Sequence, residues 1–255
     1  MNNEMLKGRV AIVTGGARGM GREFARGLAS CGASVLVADL REASETVKII
    51  EGEGGKASAA VFDVRDATAC KEIAETAVKL YGGIDILVNN AALYADAKGG
   101  RFDSIPEDHW DLAMAINVKG IWNCCKAVVP HMRSRGSGSI INMSSLAAVS
   151  GVPFALPYVT SKAAVIGLTR GLARELGRDW IRVNSIAPTA VLTEGTRENL
   201  GERTDKIAAA VAQQQTLQRN LEPSDMIGTV CYLASDMSKF VTGQTLMVDG
   251  GTVYL

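Results

Sequence analysis

The stretch Val10-Ala11-Ile12-Val13-Thr14-Gly15-Gly16-Ala17-Arg18-Gly19-Met20-Gly21 decides how the rest of the chain is read. Val10 to Val13 is a short, wholly apolar run of the kind that forms a strand buried on both faces. It runs into glycines that permit a sharp turn, and an amphipathic pattern from Gly19 to Cys31 follows at once. Strand, glycine-rich turn and helix in that order bring the backbone close to a pyrophosphate. They also aim free N–H groups and the positive end of a helix at it. Gly15, Arg18, Gly19 and Met20 are the candidate contacts.

The same rhythm continues outward. Val35 to Ala38, Ile84 to Val88, Ser139 to Met143 and Ile181 to Ile186 read as further buried strands. Ala67 to Tyr81, Glu107 to Met132 and Tyr158 to Leu176 read as helices between them. Alternation of this kind predicts a doubly wound α/β fold, a parallel sheet with helices on both faces. With no internal repeat or linker, residues 1–255 form a single domain. Ser104-Ile105-Pro106-Glu107 has the spacing of a capping box with proline in the first turn. The polar stretch from Thr193 to Gln218, with a helical piece over Ile207 to Gln215 and no strand, is expected to be a lid over a substrate.

The second strand ends at Asp39, 18 residues after Gly21. A carboxylate there accepts hydrogen bonds from adenosine ribose hydroxyls and repels a 2′-phosphate, which favours NAD over NADP. Arg18 pulls the other way, but an uncompensated carboxylate beside a phosphate is the larger cost. NAD is therefore the expected cofactor.

Tyr158 and Lys162 stand four residues apart, on one helical face. A phenol titrates near ~10. A neighbouring ammonium and an oxidised nicotinamide are expected to bring it down toward the working range of a general acid or base. Ser144 and Ser145 end a strand at the sheet's carboxyl edge, where a hydroxyl can meet a substrate oxygen.

Composition removes several alternatives. Basic and acidic residues number 27 each, so charge offers no argument for nucleic acid or an anionic membrane. The five cysteines have no metal-ligand spacing and suit buried thiols in a reducing compartment. His109 and His131 share no ligand-like spacing, so no metal is expected. Met1 to Met5 shows no secretory pattern, and no uninterrupted apolar run approaches the ~18 residues of a membrane span. A cytoplasmic protein is expected.

Several segments, in order and over nearly the whole length, resemble the short-chain dehydrogenase/reductase family. They are Thr14 to Gly21, Asp63-Val64, Asn89-Asn90-Ala91, Asn117, Ser145, Tyr158 with Lys162, Pro188 to Thr193, and Thr242-Gly243-Gln244 through Asp249-Gly250-Gly251. Ser145 lies 13 residues before Tyr158, the family's usual separation, and is preferred to Ser144. The resemblance implies a Rossmann-type sheet and reversible oxidation of a secondary alcohol to a ketone. Ser145 would hold the substrate oxygen and Tyr158 would be the acid or base. Lys162 would bind the nicotinamide ribose and depress the tyrosine, and Asn117 would hold a water of a proton relay. Asp39 and Leu40 would lie at the adenosine ribose, Asp63 and Val64 at the adenine, and Asn90, Ala91 and Ala92 along the ribose. Pro188, Thr189, Val191 and Thr193 would clasp the nicotinamide amide and pyrophosphate. Two departures stand out: Thr189 and Ala92 occupy positions where the family often has glycine.

Leu93, Tyr94, Ala147, Val152, Phe154 and Leu156 are expected near the carbonyl and would make an apolar pocket for a small or medium alcohol or ketone. The main rival is an NADPH-dependent 3-oxoacyl-carrier-protein reductase. A non-catalytic dinucleotide sensor is the rival of another class. The resemblance also implies a homotetramer, with the Glu107 and Tyr158 helices at one interface and Thr252 to Leu255 at another.

Overall fold

A computed structural model describes residues 4–94 and 100–254. The readings of Met1 to Asn3 and of Leu255 lie outside the described residues. In chain order the elements begin β1 (Val10–Thr14), α1 (Gly19–Ser30), β2 (Ser34–Asp39), α2 (Ser44–Gly52), β3 (Lys56–Val61), α3 (Ala67–Tyr81) and β4 (Ile86–Asn89). They continue α4 (Glu107–Met114), α5 (Gly120–Arg135), β5 (Gly138–Met143), α6 (Ala147–Ser150), α7 (Leu156–Leu176) and β6 (Ile181–Pro188). The last are α8 (Glu194–Leu200), α9 (Thr204–Gln214), α10 (Ile227–Ala234) and β7 (Thr245–Val248).

All seven strands pair in parallel, in the order β3-β2-β1-β4-β5-β6-β7. The chain winds outward from β1 to β3, then returns across β1 to β4 and winds the other way. The reversal leaves a crevice at the carboxyl ends of β1 and β4, because the following connections diverge there. Thr14 pairs with both Ala38 and Asn89, and Asn89 with Asn142, so the central strands end level beneath that crevice.

Alternation along each strand divides the core in two. Ala11, Val13, Val35, Val37, Ile86 and Val88 pack with Phe24 and Leu28 of α1, Ile50 of α2 and Val230 of α10. Ile12, Leu36, Leu87 and Ile140 point the other way, onto Ile73 and Ala77 of α3, Val128 and Met132 of α5, and Val165 of α7. Phe24 is fully buried; a side chain of that size contributes about 2 to 3 kcal/mol of hydrophobic stabilisation.

The structure corrects several expectations. The strands β3 and β7 lie at the sheet's two edges, half-exposed; β3 carries no continuous apolar run like Val10 to Val13, and that of β7, Leu246 to Val248, is only three residues long. The helices α2 and α10 also escaped the sequence pattern. The capping box is not formed. Ser104 sits in a 3₁₀ turn with its hydroxyl donating to the Arg101 carbonyl (2.9 Å), and Pro106 is the N-cap of α4. Glu107 is then the first helical residue, too early to reach back to a cap.

The Glu107 helix runs on to Arg135, with one π turn over Ala115–Lys119 joining α4 to α5. By length and hydropathy it could cross a membrane, but 56% of its most apolar window is buried inside this protein, as befits a core helix. The excursion from Thr193 to Gln218 holds α8 and α9, and the pairing of Val191 with Leu221 ties its base together. All five cysteines are buried thiols, and burial pushes Cys125 up to about 12. No group of residues suited to a metal occurs among the described residues.

Candidate active site

The glycine turn after β1 is held by its neighbours rather than by itself. The Thr14 hydroxyl accepts from Asn90 N (3.1 Å) and Ala91 N (3.0 Å). The Asn90 amide donates to the Thr14 and Gly15 carbonyls at 3.1 and 2.9 Å. Gly15 has φ +67, and a Cβ there would lie 2.8 Å from Ala91 Cα; one at Gly21 would lie 2.0 Å from Gly15 O. No side chain caps α1, so its first N–H groups face the cleft free for an anion. A dinucleotide's pyrophosphate fits this cradle.

Asp39 lies in the cleft wall beyond the glycine turn. Its carboxylate accepts from Ala17 N and from Arg41 N, both at 2.9 Å, and so is fixed at the end of β2. Arg65 pairs with Asp63 at 2.5 Å and holds that carboxyl below its usual range. Arg18 does not stand free: its guanidinium meets both carboxylate oxygens of Glu198 on α8, at 2.6 and 2.8 Å.

At the other end, the two serines after β5 separate by role. The Ser144 hydroxyl donates to the Lys162 carbonyl (2.8 Å) and fastens β5 to α7. Ser145 lines the cleft, where its hydroxyl accepts from Ala147 N (3.2 Å) and interacts with the Tyr158 phenol. Lys162 is 3% exposed; its ammonium donates to the Met143 carbonyl (2.7 Å) and lies 5.7 Å from the Tyr158 ring centre. Burial pushes Lys162 down to about 8. The Lys162 ammonium does not by itself bring the phenol down. Burial pushes Tyr158 above the ordinary tyrosine range and the interaction with Ser145 only partly offsets it. The Tyr94 ring packs edge-on against Tyr158 at 5.5 Å.

These parts share one cleft of about 1080 Å³. Gly15, Arg18, Gly19, Met20, Asp39, Leu40, Asp63, Val64, Asn90, Ala91 and Ala92 line one side of it. Ser145, Tyr158, Lys162, Pro188, Thr189, Val191 and Thr193 line the remainder. Asn117 does not. It is fully buried in the π turn, where its amide donates to Leu93 O (3.0 Å) and Ser161 Oγ (2.9 Å) and accepts from Leu93 N (2.7 Å). Both its side-chain donors are thus engaged; a relay water could use only the second lone pair of Oδ1 or the backbone carbonyl.

Thr189 and Ala92 have no positive φ, so the backbone conformation at these positions does not require glycine. Leu93, Tyr94, Ala147 and Val152 lie in the cleft wall, but Phe154, 64% exposed, and Leu156 do not. Leu112, Ile116, Val211 and Gln214 line it without having been expected. Their helical periodicity was visible, but which helix face meets the cleft depends on how α4 and α9 dock.

A switch-point crevice, an uncapped helix start and a Ser–Tyr–Lys cluster at the opposite end define an oxidoreductase of the nicotinamide-dinucleotide class. A family model described as enoyl-(acyl carrier protein) reductase matches residues 15–253. The 3-oxoacyl-[acyl-carrier-protein] reductase FabG of Thermotoga maritima is 38% identical, covering 97% of this chain and 99% of its own. A putative short-chain alcohol dehydrogenase from Sinorhizobium meliloti superposes with TM-score 0.90 at 35% identity over 97% of each chain. A putative NAD(P)-dependent gluconate 5-dehydrogenase from Beutenbergia cavernae, with NADP bound at low occupancy, gives 0.89 at 33% over 98% of each. The chain belongs to the short-chain dehydrogenase/reductase family and is an oxidoreductase acting on CH–OH groups with a nicotinamide cofactor.

Proposed function

We propose that the enzyme interconverts a secondary alcohol and a ketone with NAD(H), using Tyr158 as its acid and base. The observation that carries this reading is that Ser145, Tyr158 and Lys162 line one cleft wall, with the Lys162 ammonium held 5.7 Å from the Tyr158 ring centre. The cofactor, when bound, supplies or accepts the hydride. Ser145 offers a hydrogen bond to the substrate oxygen. Tyr158, kept protonated by burial, donates its proton to that oxygen as a ketone is reduced and takes one from the alcohol in the reverse direction. Lys162, still mostly charged at neutral pH, stabilises the phenolate left behind and would hold the nicotinamide ribose. Asn117 fixes Leu93, and with it the loop of the cleft wall, to α7.

Asp39 at the ribose end supports NAD over NADP, because its fixed carboxylate meets a 2′-phosphate with like charge. The apolar wall of Leu93, Tyr94, Leu112, Ile116 and Val211 supports a small or medium apolar substrate. The excursion over residues 193–218 acts as its lid. Trp122, Phe240 and Tyr254 are exposed and suit burial in a homotetramer, which sedimentation would measure. A cytoplasmic location accords with five reduced thiols.

The second reading, an NADPH-dependent 3-oxoacyl reductase, is favoured by Arg18 at the ribose end and by the Thermotoga relative. One panel separates the two: secondary alcohols with NAD or NADP, simple ketones and 3-oxoacyl thioesters with NADH or NADPH. A higher kcat/KM with NADPH on the thioesters replaces the first reading by the second. Tyr158→Phe should lose turnover and keep dinucleotide binding; an active Phe variant removes the mechanism.

A further inference from the structure

Two arginines one turn apart, Arg18 and Arg22 at the start of α1, face two glutamates one turn apart on α8, Glu194 and Glu198. The pairs are unequal. Arg18 meets both oxygens of Glu198 (2.6 and 2.8 Å), whereas Arg22 lies 3.8 Å from Glu194 and spends its closer contacts on Glu45 (3.0 Å) and the Ala17 carbonyl (2.9 Å). Arg18 and Arg41 both line the cleft with Asp39, whose carboxylate bonds the backbone of Arg41. The charge of Arg41 also reaches Glu198 and, with Arg18, holds its carboxyl below the usual range. The ribose end of the cleft therefore carries two cations that could serve a 2′-phosphate. One carboxylate, contributed by the lid helix rather than by the dinucleotide-binding half, engages them.

We infer that Glu198 is a specificity-determining residue for the cofactor: by taking up Arg18 it withholds from a 2′-phosphate the cation best placed to bind it. Asp39 repels that phosphate directly, and Glu198 removes its compensation. The inference rests on the reading above that the adenosine ribose lies at Asp39. It also joins cofactor choice to the lid, because Glu198 can engage Arg18 only when α8 is docked against α1.

The experiment is a fluorescence titration of NADH and of NADPH into the full-length protein, giving a Kd for each without turnover. Glu198→Gln keeps the side chain's shape and removes its charge. It should tighten NADPH about tenfold, the worth of one charge-assisted hydrogen bond, and leave NADH within a factor of two. Adding Arg18→Ala to that variant should abolish the gain, and Glu194→Gln, on the same helix, should leave the NADPH-to-NADH ratio as in the wild type. Equal changes in both Kd values would mean that Glu198 acts only through lid docking, and an unchanged ratio would mean that it does not act; either overturns the inference. Asp39→Asn tells this failure from that of the underlying reading. If it shifts the ratio toward NADPH while Glu198→Gln does not, only the role of Glu198 falls. If it shifts nothing, the ribose is not at Asp39, and both readings fall.

Discussion

Replacing Lys162 by Met should make the cofactor-free protein more stable at neutral pH while removing its activity. The ammonium is buried with one partner, the Met143 carbonyl, and burial lowers it from its ordinary 10.5 to about 8. At about 1.4 kcal/mol for each pH unit, that displacement means the charged side chain costs the folded state about 3 kcal/mol. Methionine keeps the unbranched chain and removes the charge, but it leaves the Met143 carbonyl unpaired, which costs about 1 to 3 kcal/mol. The net expectation at pH 7 is a gain of about 0 to 2 kcal/mol, read as the urea midpoint at an unchanged m value. The pH dependence is the sharper measurement. Between pH 8 and 10.5 the unfolded chain holds a proton on Lys162 that the folded chain has shed, so wild-type stability from this residue rises with pH. The advantage of the variant should therefore shrink across that window. Cys125 and Tyr158 act oppositely: their raised values contribute stability that is lost as pH climbs above the ordinary thiol and phenol ranges. Both proteins share that loss, so it cancels in the difference. A variant more than 2 kcal/mol less stable at pH 7, or a difference constant from pH 7.5 to 10, would refute the reasoning.

Two further outcomes follow from contacts at either end of the sheet. Gly21→Ala places a Cβ 2.0 Å from the Gly15 carbonyl, a backbone atom with nowhere to go, so the turn must open. Dinucleotide Kd should weaken on the order of 10²-fold while circular dichroism is retained. Asp85 is a 2%-exposed carboxylate at the amino end of β4, bonded to Arg135, Arg9 and Val10 N. Asp85→Ala should cost about 3 kcal/mol and lower Tm by roughly 10 °C, leaving kcat/KM below the transition near wild type.

The central strands were legible because both of their faces are buried, and burial on two faces writes a continuous apolar run, as in Val10 to Val13. Lys56–Val61 was not legible because an edge strand needs no such run, and Thr245–Val248 because its run of three, Leu246 to Val248, is too short to stand out. The dinucleotide turn could be read from glycines whose absent side chains are a local requirement, and Asp39 from its distance to that turn. The sequence by itself thus determined the doubly wound sheet, the glycine turn after its first strand, and Tyr158 and Lys162 on one helical face, while the family resemblance chose Ser145 over Ser144.

What only the tertiary structure decided is how those residues are charged and paired. Lys162 turns toward the Met143 carbonyl, and burial pushes Tyr158 up, because desolvation depends on everything packed around the phenol. Asn117 is spent on Leu93 and Ser161, which are distant in sequence and meet only when the π turn lies against α7. Arg18 is answered by Glu198, 180 residues away. A spacing along the chain can place a group on a strand end or a helix face. The partner that neutralises it, and the water it loses, are set by elements that meet only once the sheet has closed around its helices.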